Sequence, residues 1–536
     1  MRKNILLFFL LVSCCGFSQE DAWVYFNDKP SAQIFIDNPL SMLTQRALDR
    51  RTAQGIPIEL SDVPVEAAYI ESVANSVGIE IKATSKWLNC VHVRGSLTDI
   101  QALAAFSFVN YIRFANALLN SKLNCNPASI PVNKQLEQTS TFAYGNSANQ
   151  IQMLNGQVLH QADYTGNGKI IAVLDSGFIG VNSIDPFARF FANGLFLGGY
   201  NYVAGNTDVF TAHNHGTMTL SCMVGYVEGQ LVGTAPDAQY YLFVTEDVSG
   251  ENPVEESYWV QAAEEADRLG ADVISTSLGY FEYDNPNYSH TYSDMTGNLA
   301  FASQGANIAF SKGMIVVASA GNSGASAEPH IGVPAEATNV FAVGAVKADR
   351  TYASFSSIGP SFDDRIKPDV MAQGESAVLS TITGVITAAS GTSFSCPIMA
   401  GAIASFWQAI PWATNSQVLD FVKQSADRFS MPDAQYGYGI PNFQIALDLA
   451  LLSVETVSKS KFSVYPNPAQ KQVFVSFPDR TVAVSIELYT TLGQKVFAKS
   501  ILNENESIAI EWLDAGVYFY KLQSGTLVQT GKIIKE

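Results

Sequence analysis

Between residues 140 and 452, five short apolar runs alternate with segments of helical spacing such as VEESYWVQAAEEADRLG. The runs are KIIAVLD, AQYYLFVT, ADVISTSLG, MIVVASAG and NVFAVGAV. This alternation constrains the fold more than any other feature. A run of Val, Ile and Ala with no polar residue at every second position suits a strand buried on both faces. Strands separated by helices are joined by crossovers, so the region is predicted to form a parallel sheet with helices on both faces. In such α/β folds, sites gather at the carboxyl ends of the strands, and that rule directs attention to the residues at the end of each run.

The 536 residues are too many for a single core, so further domains are expected. MRKNILLFFLLVSCCGFSQ has a basic start, a short apolar run, and Gly16 and Ser18 before a cleavage point, so residues 1–18 read as a secretory signal. Leu11-Val12-Ser13-Cys14 also has the form of a lipoprotein box, which would leave a lipidated Cys14. Residues 19–125 read as a small α/β domain of order β-α-β-β-α-β, closed by a polar linker. SVETVSKSK, residues 453–461, reads as a second linker. Residues 462–536 carry seven short alternating strands, from FSVYP to VQTGKII, which predict a small β-sandwich.

Composition excludes some roles. A formal charge of -18 leaves no basic surface for nucleic acid. After the signal no stretch is long and apolar enough for a transmembrane helix. Of six cysteines, Cys90, Cys125, Cys222 and Cys396 lie beyond the signal, without metal-ligand spacing. If the segments around Cys222 and Cys396 pack together, the two thiols are either a disulfide or small buried hydrophobes.

Three segments carry candidate chemistry. KIIAVLDSG ends a buried strand at Asp175, a position that structural carboxylates also take. In HNHGTMTLSCMVG, His215 precedes Gly216 and an apolar helix, whereas His213 lacks the following Gly-Thr and reads as a rim residue. His160, His290 and His330 have no motif and read as surface or packing residues. In ASGTSFSCPIMAGAIASFWQA, Ser393 stands where a long helix begins, with Pro397 in about its first turn. Alone, that serine reads first as an ordinary helix N-cap.

Taken together and in the order Asp, His, Ser, these segments resemble the subtilisin-like (subtilase) serine proteases. LVGTAPDA, VISTSLG, VVASAGNSG, VPA, ASFSSIGP, KPDVMAQG and YGYGIPN come in the family's order, so the resemblance spans roughly residues 140–450. It implies Asp175, His215 and Ser393 as the catalytic triad and Asn322 as an oxyanion donor. Ser277, Leu278 and Gly279 would form one wall of the substrate cleft, and Ser319, Ala320 and Gly321 another, with substrate backbone added as a strand. Tyr280 stands where the family often has Gly, and is expected to narrow or cover a subsite. Neither wall carries an acidic residue, so broad or apolar preference is expected at the cleaved position. An esterase is disfavoured, because no G-x-S-x-G elbow surrounds Ser393.

The chemistry implied needs no cofactor. Many subtilases bind structural calcium, but no D-x-[DN]-x-[DN]-G run is present, so calcium stays unassigned and no metal ligand is named. By position, the α/β domain resembles a subtilase propeptide, which would occupy the cleft through its C-terminal strand until autoproteolysis. FSVYPNPA, IELYTTLGQKV, AGVYFYKL and the KIIKE terminus resemble the C-terminal sorting domain of type IX secretion cargo. The expected partners are therefore protein or peptide substrates, the chain's own propeptide and the type IX machinery. A monomer is expected, secreted from or held on the surface of a Gram-negative cell after passage through the periplasm.

Overall fold

The computed structural model describes residues 19–120, 142–459, 462–476, 484–501, 506–524 and 527–536. The signal, Cys14, Cys125 and nearly all of the first linker lie outside the described residues, as does any propeptide segment entering the cleft from that linker. Two compact units divide the chain, Met1–Leu447 and Asp448–Glu536.

The first unit is built on a seven-stranded sheet in the order Val370–Gln373, Phe341–Val346, Ile315–Ser319, Val273–Thr276, Ile170–Asp175, Gln239–Val244 and Phe196–Asn201. All neighbouring strands run parallel. The five apolar runs are the five inner strands, and Ile170–Asp175, Ile315–Ser319 and Phe341–Val346 are buried throughout. The two edge strands were not expected. Val370–Gln373 has only four residues, and Phe196–Asn201 contains Gly198 and Gly199 with a register shift beside them, so neither shows a periodic apolar run. Phe196–Asn201 is mostly half-buried, whereas Val370–Gln373 is buried throughout but too short to show a pattern.

Ile170–Asp175 is the strand at which the connections change direction. The chain runs through Gln239–Val244 on one side of it and then crosses to Val273–Thr276 on the other. Crevices in open α/β sheets form at the carboxyl end of such a switch point, and Asp175 is the last residue of this strand. Side chains alternate along it. Ile170, Ala172 and Leu174 join Trp259, Val260, Ala263 and Phe301 in one core. Asp175 has the opposite parity and faces the other layer, where the helices His215–Val224 and Thr392–Ala409 pack together.

Residues 19–114 form a four-stranded antiparallel sheet in the order Ile79–Ser85, Cys90–Ser96, Gln19–Phe26, Val109–Phe114, the split βαβ arrangement. Its first strand shows period-two sorting. Ala22, Val24 and Phe26 meet the domain's own helices, while Trp23 and Tyr25 enter the peptidase-side core. Trp23 stacks on Phe301 at 4.9 Å and its Nε1 donates to Ser257 Oγ at 2.8 Å. Glu264 receives Ser85 Oγ at 2.7 Å and the Trp87 N–H at 3.0 Å.

Sequence reading missed the helix Gln45–Gln54, inserted after the first strand, capped by Thr44 and stopped by Gly55 at φ +70°. It lacks a long apolar stripe because its inner face is cationic. Arg50 Nη2 meets Asp267 Oδ1 at 2.5 Å, while Arg51 pairs bidentately with Asp62 at 2.8 Å and reaches Asp267 Oδ2 at 2.6 Å. Arg46 pairs with Asp272 at 2.5 Å.

In the second unit, Ser463–Tyr465, Gln472–Ser476 and Ser507–Ala509 form one antiparallel sheet. Lys495–Ile501, Val484–Tyr489, Gly516–Ser524 and Leu527–Lys535 form another. All seven expected strands are present, and alternate residues such as Val473, Val475, Ile486, Leu488 and Leu522 build their core. The expected linker 453–461 is a correction. The helix Phe443–Lys459 runs through it, and residues 460–461 lie outside the described set. The segment is polar but contains no Gly or Pro to stop the helix begun by the apolar residues before it.

Asp267 compensates two buried guanidinium groups, so removing it strands charge in a dry interface. Asp267→Ala, in an inactive Ser393→Ala background, should destabilise the first unit by about 3–5 kcal/mol. The midpoint of its denaturant unfolding, compared with Ser393→Ala alone, checks this.

Candidate active site

Asp175 is fully buried and receives four donors. His215 Nδ1 lies 2.8 Å from Oδ1, which also accepts the Ser176 N–H at 2.8 Å and Ser176 Oγ at 3.3 Å. Thr219 Oγ1 donates to Oδ2 at 2.9 Å. His215 and Thr219 are one turn apart on the same helix and therefore share a face; one helix grips both carboxylate oxygens. That helix must come close to do so. A Cβ on Gly216 would stand 2.4 Å from the Gly177 carbonyl oxygen, so only glycine fits.

A carboxylate can only accept, so Nδ1 is the protonated nitrogen and Nε2 is left as the basic one. Burial pushes the His215 pKa down, but the charge and hydrogen bond of Asp175, with the charge of Glu246, outweigh it and leave the imidazole above its ordinary value. His213 is exposed, with Nδ1 3.3 Å from Ser176 Oγ, which fits the expected rim position.

Ser393 is the second residue of the helix Thr392–Ala409, and its neighbours fix its surroundings. Phe394 lies 6.3 Å, centroid to centroid, from the His215 ring. On the other side, Thr392 N and Oγ1 both donate to Asn322 Oδ1, at 2.9 and 3.0 Å. Thr392 Oγ1 also accepts the Gly321 N–H at 3.2 Å. The carbonyl end of the Asn322 amide is thereby tied down, and its NH₂ donates to none of the described residues. Gly321 holds φ at +100°, which a side chain would strain.

Pro397 is the sixth helical residue, not a first-turn one as expected. It has no N–H to return to the carbonyl four residues back, which is that of Ser393. Ser277 Oγ takes that bond at 2.9 Å. The proline thus frees an acceptor that links the serine helix to the residue after the strand Val273–Thr276.

The walls differ from each other. Leu278 is half-buried and Gly279 exposed, and their backbone groups bond to none of the described residues, so an added strand has partners there. Ser319 and Ala320 are buried, and the N–H groups of Ala320 and Gly321 are bound to Val343 O and Thr392 Oγ1. This second segment is therefore not an edge open to pairing through those groups. Tyr280 does not cover a subsite. It turns inward, 1% exposed, and donates to Glu246 at 2.7 Å.

The remaining candidates are accounted for. Cys222 and Cys396 are free, buried thiols, each pushed up to about 12 chiefly by burial. His160 is buried between Tyr144 Oη and the Thr234 carbonyl, at 2.9 and 3.1 Å, and burial lowers it to about 4. His290 pairs with Glu256 at 2.8 Å, and His330 stacks on Tyr292. Among the described residues no three His, Cys, Asp or Glu side chains converge as a metal site. Thr219, Ser176 and Thr392 were not anticipated. The signal for two of them was present, as a threonine one turn after His215 and another just before Ser393.

Residues 166–439 match the family model described as the subtilase family. Residues 21–130 match the peptidase S8 propeptide domain of Bacteroidota, and 463–536 a secretion system C-terminal sorting domain. Subtilisin NAT of Bacillus subtilis subsp. natto is 31% identical over 313 residues, which are 58% of this chain and 72% of that relative. Subtilisin Savinase of Lederbergia lenta is 31% identical over 298 residues, 55% of this chain and 97% of that protein. In fold, the epidermin leader peptide processing serine protease of Staphylococcus aureus is similar, with a TM-score of 0.52 and 17% identity over 81% of this chain and 98% of that one.

Because Asp175 holds the His215 proton at Nδ1, removing its charge removes the main upward influence on the ring. In the Ser393→Ala chain the His215 ring should titrate above about 6.5, the ordinary imidazole value. With Asp175→Asn added, its midpoint should fall. Histidine ring proton shifts followed by NMR across pH 4–9 provide the check.

Proposed function

The chain belongs to the subtilase family and is a serine-type endopeptidase, and from that premise we propose that Asp175, His215 and Ser393 are its catalytic triad, with Asn322 as oxyanion donor. The observation that carries the assignment is the bond from His215 Nδ1 to buried Asp175, which leaves Nε2 as the base. Nε2 takes the Ser393 hydroxyl proton as Oγ attacks the scissile carbonyl carbon. Asp175 keeps the ring in this tautomer and stabilises the imidazolium. The tetrahedral oxyanion is met by the Asn322 NH₂ and the Ser393 N–H, one of the helix's first amides, which lack intrahelical partners. When the C–N bond breaks, the imidazolium proton passes to the departing amine. Water activated by the same nitrogen then releases the acyl group and regenerates Ser393.

Substrate backbone pairs with Leu278 and Gly279, while Ser277, Ser319, Ala320 and Gly321 line the position of the cleaved bond. None of these residues is acidic, which favours broad or apolar preference at the cleaved position. The segment 19–125 acts as the propeptide, an intramolecular inhibitor removed on maturation, ahead of the peptidase domain 140–452. The C-terminal tail 462–536 directs export by the type IX machinery, placing the enzyme outside the cell or on its surface.

A fluorophosphonate probe should label the wild-type chain, and casein should be cleaved, with both lost in Ser393→Ala. Asn322→Ala should keep the label but lower kcat by about 100- to 1,000-fold. A folded, processed wild type that neither labels nor cleaves would overturn the reading.

A further inference from the structure

Glu246 is a carboxylate beside the catalytic pair that the mechanism does not use. Val244 pairs with Asp175 across the parallel strands, and Glu246 comes two residues later, at the same carboxyl end of the sheet. Tyr280, which directly follows the Ser277–Gly279 wall on the other side of the central strand, reaches over to it. Its hydroxyl donates to Glu246 Oε1 at 2.7 Å, and Thr245 Oγ1 donates to the same oxygen at 2.9 Å. Tyr280 is itself fixed by its N–H to the Val333 carbonyl at 2.8 Å.

Oε2 of Glu246 accepts no hydrogen bond from the described residues, the residue is half-buried, and no Lys or Arg among them pairs with it. The titratable groups that interact with it electrostatically are acids, phenols and one imidazole: Asp175, Glu251, Glu255, Tyr280, Tyr283 and His215. A half-desolvated carboxylate in such company lacks the counter-charge that its burial calls for. It stands at the carboxyl end of the sheet, near enough to His215 to raise that ring electrostatically and bonded to the residue that follows Ser277–Gly279.

We propose that Glu246 forms a subsite adjoining the scissile bond that selects a lysine or arginine side chain of the substrate. The proposal rests on the protease reading above and adds to it a substrate class, cationic at one neighbouring position while the cleaved position stays broad. Burial, with the charges of Glu251 and Asp175, lifts the Glu246 carboxyl to about 7 against the bonds from Tyr280 and Thr245. The carboxyl is therefore neutral well below that pH and charged above it. Cationic preference should be weak at pH 5.5 and developed at pH 8.

The test uses the full chain after self-processing and fluorogenic peptides carrying Lys, Ala or Glu at each position around the cleaved bond. Active sites are counted by fluorophosphonate titration. At one position the kcat/KM ratio of Lys to Ala should reach about tenfold at pH 8, the size of one charge-assisted hydrogen bond. That ratio should fall toward one at pH 5.5, and at pH 8 in Glu246→Gln. No position favouring Lys, a preference that survives Glu246→Gln, or one flat between the two pH values would each overturn the proposal. The wild-type pH dependence decides the matter even if Glu246→Gln fails to fold. Normal titration of active sites with no cationic preference would leave the protease reading standing, whereas absence of labelling would overturn that reading itself.

Discussion

The site depends on one fully buried carboxylate whose oxygens are both taken. Asp175 sits where the sheet reverses its winding, on the layer that holds the histidine and serine helices. An isolated charge there would be very costly, and four donors compensate it. Two of those donors come from successive turns of one helix, so satisfying the charge also sets that helix's rotation and height. Any shift of the helix that takes His215 off Asp175 takes Thr219 off as well. The close approach of Gly216 to the Gly177 carbonyl is a steric consequence of the same requirement. The order of the Asp175–His215 pair is thus a by-product of solvating one buried acid with protein.

The serine end is organised by an orphaned acceptor. Pro397 removes the N–H that would close the helix onto the Ser393 carbonyl, and Ser277 fills the gap from the neighbouring strand end. One residue earlier, Thr392 uses its backbone N–H and its hydroxyl on the same oxygen of Asn322. Helix start, Ser277 and Asn322 are therefore locked to one another by bonds that do not use Ser393 Oγ. Preorganisation of this kind would leave the proposed nucleophile and oxyanion donors free while their supports are rigid.

Much of this was legible in the sequence because burial and motif coincide. The five inner strands announced themselves as unbroken apolar runs, and Asp175, His215 and Ser393 stand at the ends of such elements. The edge strands were not legible, since Phe196–Asn201 is interrupted by two glycines and needs only one neighbour. The helix Gln45–Gln54 was missed because its buried face carries Arg50 and Arg51, which read as solvent-facing until Asp62 and Asp267 are placed opposite them. Tyr280 was misread for a related reason. A tyrosine beside a cleft suggests a lid, and nothing in the local sequence reveals that Glu246, far along the chain, takes its hydroxyl inward. Long-range polar partners are what periodicity cannot supply, and supports such as Thr219 and Thr392 belong to the same class.

The interface of the amino-terminal domain uses charge differently from the cleft. Its aromatic contacts, Trp23 on Phe301 with Tyr25 and Trp87, remove apolar surface from water and supply the favourable term. Its ion pairs, Arg50 and Arg51 on Asp267 and Arg46 on Asp272, must first be stripped of water, so their Coulomb gain is largely offset. Such pairs add little net affinity, yet they punish any misdocked geometry that leaves one member alone. On separation each charge regains its hydration, and the acids Glu264, Asp267 and Asp272 return to water beside the uncovered aromatic surface. An interface made this way is selective in its geometry without drawing much net affinity from its ion pairs.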